Sequence, residues 1–331
     1  MPTKIGFIGT GGIAQRHIDT LSSMPETKMT AFCDLELARA RDHADRHDAK
    51  AYTDFNQMLD SEKLDAVFIC TPSTVRAEPI AAAASRGVAV FVEKPPAFDL
   101  DAARATLRSL REHPVVNSVG FMYRWASITD QVGQRISGRP ILGARSLMAC
   151  NTALNPEQPR WLWQLDKSGG PALDQAVHLI DVARYLIGDI QSVYNIATNA
   201  IREKTKEFTT PDALAIALMY DNNAIHTHLH SWSHRGWLVN LELIGEDFRF
   251  VLDYATDTFM GTDKGENLRG GDGKGDAPYY QREVEQFLAA VRAKDRGLVR
   301  SSYADGARSL ATVISANNSM LSGEPVRIPA L

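Results

Sequence analysis

Short apolar runs alternate with helical patterns through the first third of the chain, and this alternation restricts the fold more than any other feature. Apolar runs such as Ile5–Gly9, Ala66–Cys70 and Val88–Glu93 are each followed by a segment with helical spacing of apolar residues, for example Gly11–Ser22. Strands that alternate with helices in this way are typical of a parallel, doubly wound α/β sheet. We therefore predict a domain of this class over residues 1–122.

The pattern changes in the second part of the chain, where strand candidates follow one another with few helices between them. These candidates are Ala144–Asn151, Ile190–Thr198, Asp212–Tyr220, Asn223–Trp232, Trp237–Gly245 and Phe248–Tyr254. One helix, Ala172–Ile187, interrupts them. Successive strands without intervening helices indicate an α+β domain with a broad, open, antiparallel or mixed sheet over residues 123–331. Residues 261–276 are dense in Gly, Asp and Lys, and we expect a mobile surface loop there.

A glycine motif lies between the first strand and the first helix. Its residues are Gly9, Thr10, Gly11, Gly12, Ile13 and Ala14, which fit G-x-G-x-x-A. The first glycine permits a tight turn, the second lets a pyrophosphate approach the backbone, and the alanine lets the helix lie close to the strand. Asp34 ends the second strand, where a carboxylate accepts ribose hydroxyls and repels a 2′-phosphate. The motif predicts a site for NAD rather than NADP, although Arg39 and Arg41 lie close enough to soften that preference.

Polar residues follow two further strands of the same sheet. Thr71, Pro72 and Ser73 come after one strand, and Glu93 and Lys94 come at the end of the next. Because ligands bind at the carboxyl ends of parallel strands, we predict that all five contact the cofactor. Lys94, followed by two prolines, would point into the same cleft and polarise a carbonyl or stabilise an alkoxide. The alternatives are an ordinary strand-exit turn and a solvated Lys94 paired with Glu93.

Two glycines and a proline open the helix that interrupts the second sheet. Asp174 and His178 are spaced i and i+4, and Asp181 follows at i+7, so a regular helix puts all three on one face. An imidazole beside a carboxylate suits proton transfer near neutral pH. We predict that Asp174 and His178 are catalytic. A buried structural Asp–His pair and a metal site are the alternatives, and we expect no metal.

Three histidines, His226, His228 and His230, alternate along one strand candidate and so share a face of it. Neighbouring positions on one face of a strand are about 6–7 Å apart, too far for all three to meet one ion without distortion. A pocket wall, a sheet face and a subunit interface are the other interpretations. Trp163, one of several tryptophans in this part of the chain, suits the apolar face of a sugar ring, although a core position is the alternative.

Composition excludes several classes of partner. The formal net charge is -4, which gives no overall attraction to nucleic acid or to an anionic membrane. Three widely spaced cysteines argue against a disulfide framework, and Cys33 and Cys70 end apolar runs that indicate burial. No apolar stretch approaches the roughly 20 residues that span a bilayer. We expect a cytoplasmic location.

Taken together, these motifs resemble the Gfo/Idh/MocA oxidoreductase family over nearly the whole chain. The resemblance rests on the glycine motif, Cys70-Thr71-Pro72-Ser73, Glu93-Lys94-Pro95 and the stretch from Gly169 to Asp181. It implies a Rossmann domain joined to a large open, mostly antiparallel sheet that forms homodimer or homotetramer contacts. It implies that Lys94, Asp174 and His178 are the catalytic set, that Tyr123 and Arg124 line the cleft near the nicotinamide, and that the substrate is a sugar, polyol or cyclitol.

One position departs from the family pattern, since Arg76 stands where a histidine is usual. Such an arginine would reach a phosphate or cap the helix surface. For the expected reaction, His178 takes a proton from a secondary hydroxyl, Lys94 stabilises the alkoxide and Asp174 holds the hydroxyl. An NAD-dependent glycosidase, a non-catalytic nucleotide sensor and an NADP-linked reductase of a keto-sugar remain as alternative functions.

Overall fold

A computed structural model describes the backbone of residues 1–331 and every side chain except that of residue 277. The chain forms two units, one of residues 1–121 and 280–307 and the other of residues 122–279 and 308–331. The sequence predicts domains of residues 1–122 and 123–331, and this division places residues 280–307 in the second domain. These residues join the first unit because Val284, Phe287, Leu288 and Ala290 are buried in its hydrophobic core.

The first unit contains a parallel sheet flanked by helices. Its elements are β1 (Thr3–Ile8), α1 (Gly12–Ser22), β2 (Thr27–Cys33), α2 (Leu37–His47), β3 (Lys50–Tyr52), α3 (Phe55–Ser61), β4 (Ala66–Ile69), α4 (Ala77–Ser85), β5 (Ala89–Val92), α5 (Leu100–Glu112) and β6 (Asn117–Val119). The strands lie in the order β3-β2-β1-β4-β5-β6 and are all parallel, which confirms the predicted doubly wound fold. The strand order reverses between β1 and β4, and ligands of such sheets bind at the carboxyl ends of these strands.

Aromatic side chains fill the centre of this sheet. The ring centroids of Phe7 and Phe68 are 5.2 Å apart, and those of Phe68 and Phe91 are 4.7 Å apart. Phe287 packs edge-on against Phe68 and Phe91. Burying these large apolar surfaces fixes β1, β4 and β5 side by side, so the loops at their carboxyl ends have a rigid base.

The second unit is built on a larger sheet. Its elements are α6 (Ser127–Ile136), β7 (Ile141–Ala149), α7 (Leu165–Ser168), a π turn (Ala172–Ala176), α8 (Val177–Ile187), β8 (Ile190–Thr198), β9 (Ala213–Tyr220), β10 (Ile225–Ser231), β11 (Leu238–Gly245), β12 (Phe248–Asp253), β13 (Thr258–Asp263), β14 (Glu266–Gly271) and β15 (Val326–Arg327). Two further helices, α9 (Ala277–Ala293) and α10 (Tyr303–Ser322), each have residues in both units. The nine strands lie in the order β14-β13-β12-β11-β7-β10-β9-β8-β15. Every pair is antiparallel except β7 and β10, which confirms the large, mostly antiparallel sheet.

The expectation of a mobile loop over residues 261–276 is wrong for most of that segment. β13 and β14 form a hairpin there, joined through Lys264 and Gly265, whose φ angles of 49° and 84° suit a tight hairpin turn. The glycines that suggested a loop allow close packing instead, since a Cβ on Gly261 would come 2.0 Å from the carbonyl oxygen of Arg249. Glycine content alone therefore does not separate a loop from a tightly packed strand.

Cys33, Cys70 and Cys150 are buried free thiols, and burial raises the pKa of Cys33 to about 12. Within the described part of the chain, no helix has both the length and the hydrophobicity needed to cross a bilayer.

Candidate active site

The glycine turn between β1 and α1 leaves open space above its backbone. Gly9 has a φ of 85°, and a Cβ there would lie 2.9 Å from both the carbonyl carbon of Cys70 and the nitrogen of Thr71. The turn therefore needs glycine to lie against the end of β4. By contrast, a Cβ on Gly11 or Gly12 would meet nothing within 4 Å. Among the described residues no side chain caps α1 at Gly11, so the first N–H groups of this helix are available to an anion.

Asp34 follows β2 and is held beside this turn. Its Oδ2 accepts hydrogen bonds from the backbone nitrogen and the hydroxyl of Thr10, both at 2.9 Å, and its Oδ1 accepts from the nitrogen of Glu36 at 3.0 Å. Burial opposes ionisation of Asp34, but the hydrogen bonds from Glu36 and Thr10 lower its pKa below the usual value. The carboxylate is thus charged and oriented. The sequence indicates Thr10 only as a member of the turn, and its hydrogen bonds to Asp34 leave no signal in the motif.

Arg39 lies on the exposed side of this region. Its guanidinium pairs with the carboxylate of Glu36 at 2.9 Å, and both side chains are more than half exposed. Its positive charge also contributes to the lowered pKa of Asp34. Arg39 is therefore near the predicted ribose-binding carboxylate but takes part in a solvent-exposed pair of small energetic value.

Arg76 holds the segment after β4 through a hydrogen bond to its backbone. Thr71 and Pro72 lead into a short 3-10 turn, Ser73–Val75, and the hydroxyl oxygen of Thr71 is buried without a hydrogen-bond partner among the described residues. Arg76 is only 5% exposed, and its Nε donates to the carbonyl oxygen of Thr71 at 2.8 Å. Its Nη1 donates to the carbonyl oxygens of Glu93 and Pro95.

Both expectations for Arg76 are consequently wrong. A guanidinium that is buried and hydrogen-bonded to three main-chain carbonyls neither faces a phosphate nor caps an exposed helix surface. Instead Arg76 connects the loop after β4 with the loop after β5, on either side of Lys94. Nothing in the local sequence indicates this role, because all three acceptors are backbone atoms.

Glu93 lies beneath Lys94 at the end of β5. It is 3% exposed, its Oε1 is 2.7 Å from Nε2 of His17, and its Oε2 accepts from the backbone nitrogen of Lys94 at 3.0 Å. Burial opposes ionisation, but the hydrogen bond and charge of His17, with the charges of Lys94 and Arg76, lower the pKa of Glu93 below its usual value. This carboxylate, predicted to contact the cofactor, is engaged with the protein itself.

His17 was not identified from the sequence. It lies on the buried face of α1 with Ala14, Ile18 and Leu21, and its ring packs against Phe68 and Phe91. A single histidine on an apolar helix face was the available signal. Through Glu93, it links the helix that begins at the glycine turn to the loop that carries Lys94, which is half-buried.

In the second unit, Asp174 lies within a π turn rather than in a regular helix. Gly169 and Gly170 have φ angles of 72° and 67°, and the chain then forms the π turn Ala172–Ala176 before α8 begins. The regular helix predicted over 172–187 is therefore wrong in its first five residues, and the expected alignment of Asp174 with His178 on one helix face does not apply as stated. Single π turns are frequent at functional sites.

His178 is nearly buried in the first turn of α8. It is 9% exposed, and its ring centroid is 5.4 Å from that of Tyr123. Tyr123 is itself 2% exposed and also packs against Tyr254 at 4.7 Å. The family resemblance alone predicted Tyr123 to line the cleft, and its ring contacts that of His178.

Asp181, three residues after His178 in α8, forms a buried ion pair with Arg124. The guanidinium donates through Nε to Oδ2 at 2.7 Å and through Nη2 to Oδ1 at 2.6 Å, and the hydroxyl of Ser309 donates to Oδ1 at 2.7 Å. Both charged side chains are 1% exposed. Arg124, predicted to line the cleft, thus has its guanidinium bound inside the unit.

Trp163 is also an interior residue. It is 5% exposed, belongs to a small cluster with Phe208 and Trp232, and donates from Nε1 to the carbonyl oxygen of Thr152 at 3.0 Å. The guanidinium of Arg202 stacks over its ring at 4.2 Å. These contacts are those of a core residue, which is the alternative that the sequence left open for Trp163.

The three histidines lie on the buried face of β10 and contact one another, Ser146 and Gln175. Burial lowers the pKa of His226 and of His230 to about 3 and also lowers that of His228. Among the described residues, no group of three or more His, Cys, Asp or Glu side chains is arranged to hold a metal ion.

A parallel sheet of order 3-2-1-4-5-6, with a glycine turn after β1 and a charged carboxylate after β2, defines the dinucleotide-binding Rossmann class. Residues 3–121 match the model of the Gfo/Idh/MocA oxidoreductase family with an NAD-binding Rossmann fold, and residues 141–251 match the C-terminal domain of the same family. These matches cover more than half of the chain, which therefore belongs to the Gfo/Idh/MocA oxidoreductase family.

Individual relatives agree with this assignment. An uncharacterised oxidoreductase, YrbE of Bacillus subtilis, is 31% identical over 66% of this chain, and the match spans 64% of that protein, just under two thirds. An inositol 2-dehydrogenase/D-chiro-inositol 3-dehydrogenase of Lacticaseibacillus casei is 26% identical over 99% of this chain and 95% of its own length. The solved structure of a levoglucosan dehydrogenase in complex with NADH superimposes with a TM-score of 0.89 at 21% identity, over 100% of both chains, which shows the shared fold.

Proposed function

We propose that this protein is an NAD-dependent dehydrogenase that transfers a hydride between a secondary hydroxyl of a sugar, polyol or cyclitol and the nicotinamide. The observation that carries the proposal is the combination, in one unit, of an uncapped helix N-terminus above Gly11 and Gly12 with the charged carboxylate of Asp34. Helix N–H groups bind a pyrophosphate, and a carboxylate accepts ribose hydroxyls but repels a 2′-phosphate. The helix N-terminus fits either dinucleotide, and the carboxylate fits NAD better than NADP.

The residues proposed to hold the cofactor follow from these features. They are Gly9, Thr10, Gly11, Gly12, Ile13, Asp34 and Arg39 for the adenosine and pyrophosphate, and Thr71, Pro72, Ser73, Glu93 and Lys94 for the nicotinamide half. When bound, NAD accepts a hydride at C4 of its nicotinamide. The contribution of Glu93 is indirect, because its carboxylate is hydrogen-bonded to His17 and to the backbone of Lys94.

Lys94, Asp174 and His178 are proposed to act on the substrate hydroxyl. His178 takes the hydroxyl proton, and Lys94 stabilises the negative charge that develops on oxygen. Asp174 accepts a hydrogen bond from the hydroxyl and orients it. Partial burial of Lys94 and near-complete burial of His178 support these roles, since charge interactions are stronger away from water.

Other predicted substrate residues receive supporting roles. Tyr123 contacts the ring of His178 and limits its rotation. Arg124 binds Asp181 three residues after His178 and so holds α8 to the segment that carries Tyr123. Trp163 supports the loop around Thr152 through its indole N–H.

The substrate class is supported by relatives whose names include inositol 2-dehydrogenase and levoglucosan dehydrogenase. The test is a screen of sugars, inositols and sugar acids in which reduction of NAD and of NADP is followed spectrophotometrically. We expect NADH to form in stoichiometry with a ketone product. Cleavage of a glycoside with NAD returned unchanged would identify a glycosidase, tight NAD binding without turnover would identify a sensor, and a strong preference for NADPH would identify an NADP-linked reductase.

The open face of the nine-stranded sheet is proposed to form a homodimer or homotetramer contact. Ile196, Ile225, Leu229 and Met260 project from one face of β8, β10 and β13 and are each more than half exposed. Light scattering of the purified protein should give a molar mass that is a multiple of 36.4 kDa. Leu229→Lys should reduce this molar mass, whereas the control Leu321→Lys on α10 should leave it unchanged. A monomeric wild-type protein would refute this contact.

We also propose a cytoplasmic location, which the three buried free thiols support.

A further inference from the structure

A continuous row of hydrogen-bonded side chains follows the buried face of β10. The row, called here the imidazole array, consists in order of Tyr220, His226, Ser146, His228, His230 and Gln175. Successive distances are 3.2 Å from Tyr220 OH to His226 Nδ1, 2.7 Å from His226 Nε2 to Ser146 Oγ, 2.7 Å from Ser146 Oγ to His228 Nδ1, 3.4 Å from His228 Nε2 to His230 Nδ1 and 3.2 Å from His230 Nε2 to Gln175 Oε1. The three histidines are at most 1% exposed.

The last member of the array fixes the direction of every hydrogen bond in it. The indole N–H of Trp232 only donates, and it lies 2.8 Å from Oε1 of Gln175, so this atom is the carbonyl oxygen of the amide. The Nε2 of His230 must therefore donate to it. A neutral imidazole that donates from Nε2 accepts at Nδ1, so the N–H of His228 points toward His230.

The same reasoning continues to the other end of the array. Because Nδ1 of His228 accepts, Ser146 donates its hydroxyl proton to it and must itself accept from Nε2 of His226. The remaining Nδ1 of His226 then accepts from the hydroxyl of Tyr220. All donations consequently run toward Gln175, and the three imidazoles, which burial keeps neutral, are all Nε2–H tautomers.

Gln175 is the point at which the array meets the proposed site. Its amide oxygen accepts from His230, from Trp232 and, at 3.2 Å, from the thiol of Cys150, and its amide nitrogen donates to Thr152 at 3.3 Å. Gln175 lies inside the π turn directly after Asp174. A side chain fixed by four partners restricts the rotation of the turn that carries it.

We infer that the imidazole array is a positioning device that fixes the Gln175 amide and, through the π turn, the position of Asp174. The inference deepens the proposed function and rests on it for the role of Asp174, whereas the direction of the array does not depend on activity. Gln175 and His230 are thus positioning residues that contact neither substrate nor cofactor in this account.

The direction of the array is tested by nuclear magnetic resonance on the wild-type protein with ¹⁵N-labelled histidine. Long-range correlations at neutral pH distinguish the Nε2–H tautomer, the Nδ1–H tautomer and the doubly protonated ring. We expect three Nε2–H tautomers that disappear one at a time in the corresponding histidine variants. An Nδ1–H tautomer or an imidazolium at any of the three positions would overturn the inference, whether or not the protein turns over a substrate.

The positioning role is tested with three matched variants, His226→Leu, His228→Leu and His230→Leu. Each removes one buried ring and takes one hydrogen bond from each of two polar neighbours, so similar losses of thermal stability are expected. Only His230→Leu removes a donor to Gln175, so only that variant should show faster amide hydrogen exchange over residues 172–176. It should also lower kcat on the order of 10-fold at unchanged KM for NAD, because small misplacements of a reacting group are costly.

Two results would contradict the positioning role. One is equal hydrogen exchange over the π turn in all three variants; the other is a fall in kcat that follows the fall in Tm rather than the distance from Gln175. The double variant Gln175→Met with His230→Leu should lose no more kcat than Gln175→Met alone, since His230 acts on the π turn only through Gln175. If only His230→Leu shows faster exchange over residues 172–176 but the protein has no activity on any substrate, the proposed function is refuted. The inferred role of the imidazole array in fixing the π turn then still holds.

Discussion

Removal of the Arg76 guanidinium should destabilise the first unit and disturb Lys94 at the same time. In Arg76→Met, the carbonyl oxygens of Thr71, Glu93 and Pro95 lose their donor inside the protein. Each buried acceptor left unsatisfied costs about 1–3 kcal/mol, and relaxation of the two loops recovers part of the total. We expect a net loss of about 3–5 kcal/mol, the lower part of the roughly 3–9 kcal/mol that three unsatisfied acceptors would cost without relaxation.

The assay is thermal unfolding followed by circular dichroism, with kcat measured on the same preparations. A loss of this size corresponds to a Tm decrease on the order of 10 °C for a unit of this length. The matched control is Arg86→Met at the end of α4, because Arg86 pairs with Asp60 at the surface and should be replaceable with little change. If Arg76→Met melted within experimental error of the control, the role assigned to Arg76 would be refuted.

Three further predictions concern the proposed site. Asp34→Ser should lower kcat/KM for NAD by about 10-fold or more and improve the relative use of NADP, since a charged acceptor of ribose hydroxyls is lost; an unchanged NAD/NADP ratio would contradict this. His178→Ala should lower kcat by at least about 100-fold, whereas replacement of the exposed His113 by alanine should not, and a near-normal rate would remove His178 from the mechanism. The pKa of Glu93 is lowered by folding, so its stabilisation is present above its unfolded pKa of about 4.3 and is lost as the pH falls through the lower folded value. In denaturant unfolding, the stability difference between wild type and Glu93→Gln should therefore shrink on acidification below about pH 4, and a constant difference would show that ionised Glu93 contributes nothing.

Local patterns were sufficient to predict the strands of the first unit. A parallel sheet covered on both faces needs continuous apolar strands, and runs such as Ala66–Ile69 and Ala89–Val92 show this directly. The glycine turn and Asp34 were also predictable, because both are defined by their distance along the chain from a strand end.

Long-range contacts were not predictable in the same way. The hydrogen bonds of Arg76 to main-chain carbonyls and the pairing of His17 with Glu93, 76 positions apart, leave no periodic signal in the sequence. The sequence does not indicate the π turn around Asp174, because a helical turn with one extra residue has the same kinds of residues as a regular turn. The hairpin over 258–271 was missed because its glycines serve close packing between strands rather than flexibility.

The most direct test of the account follows the hydride itself. The best substrate of the screen, deuterated at its secondary carbinol carbons, would be incubated with wild-type protein and NAD, and the NADH formed would be analysed by mass spectrometry. We predict one deuterium in each NADH and one ketone for each NADH. Product that forms without deuterated NADH, or NADH that carries no deuterium, would contradict it.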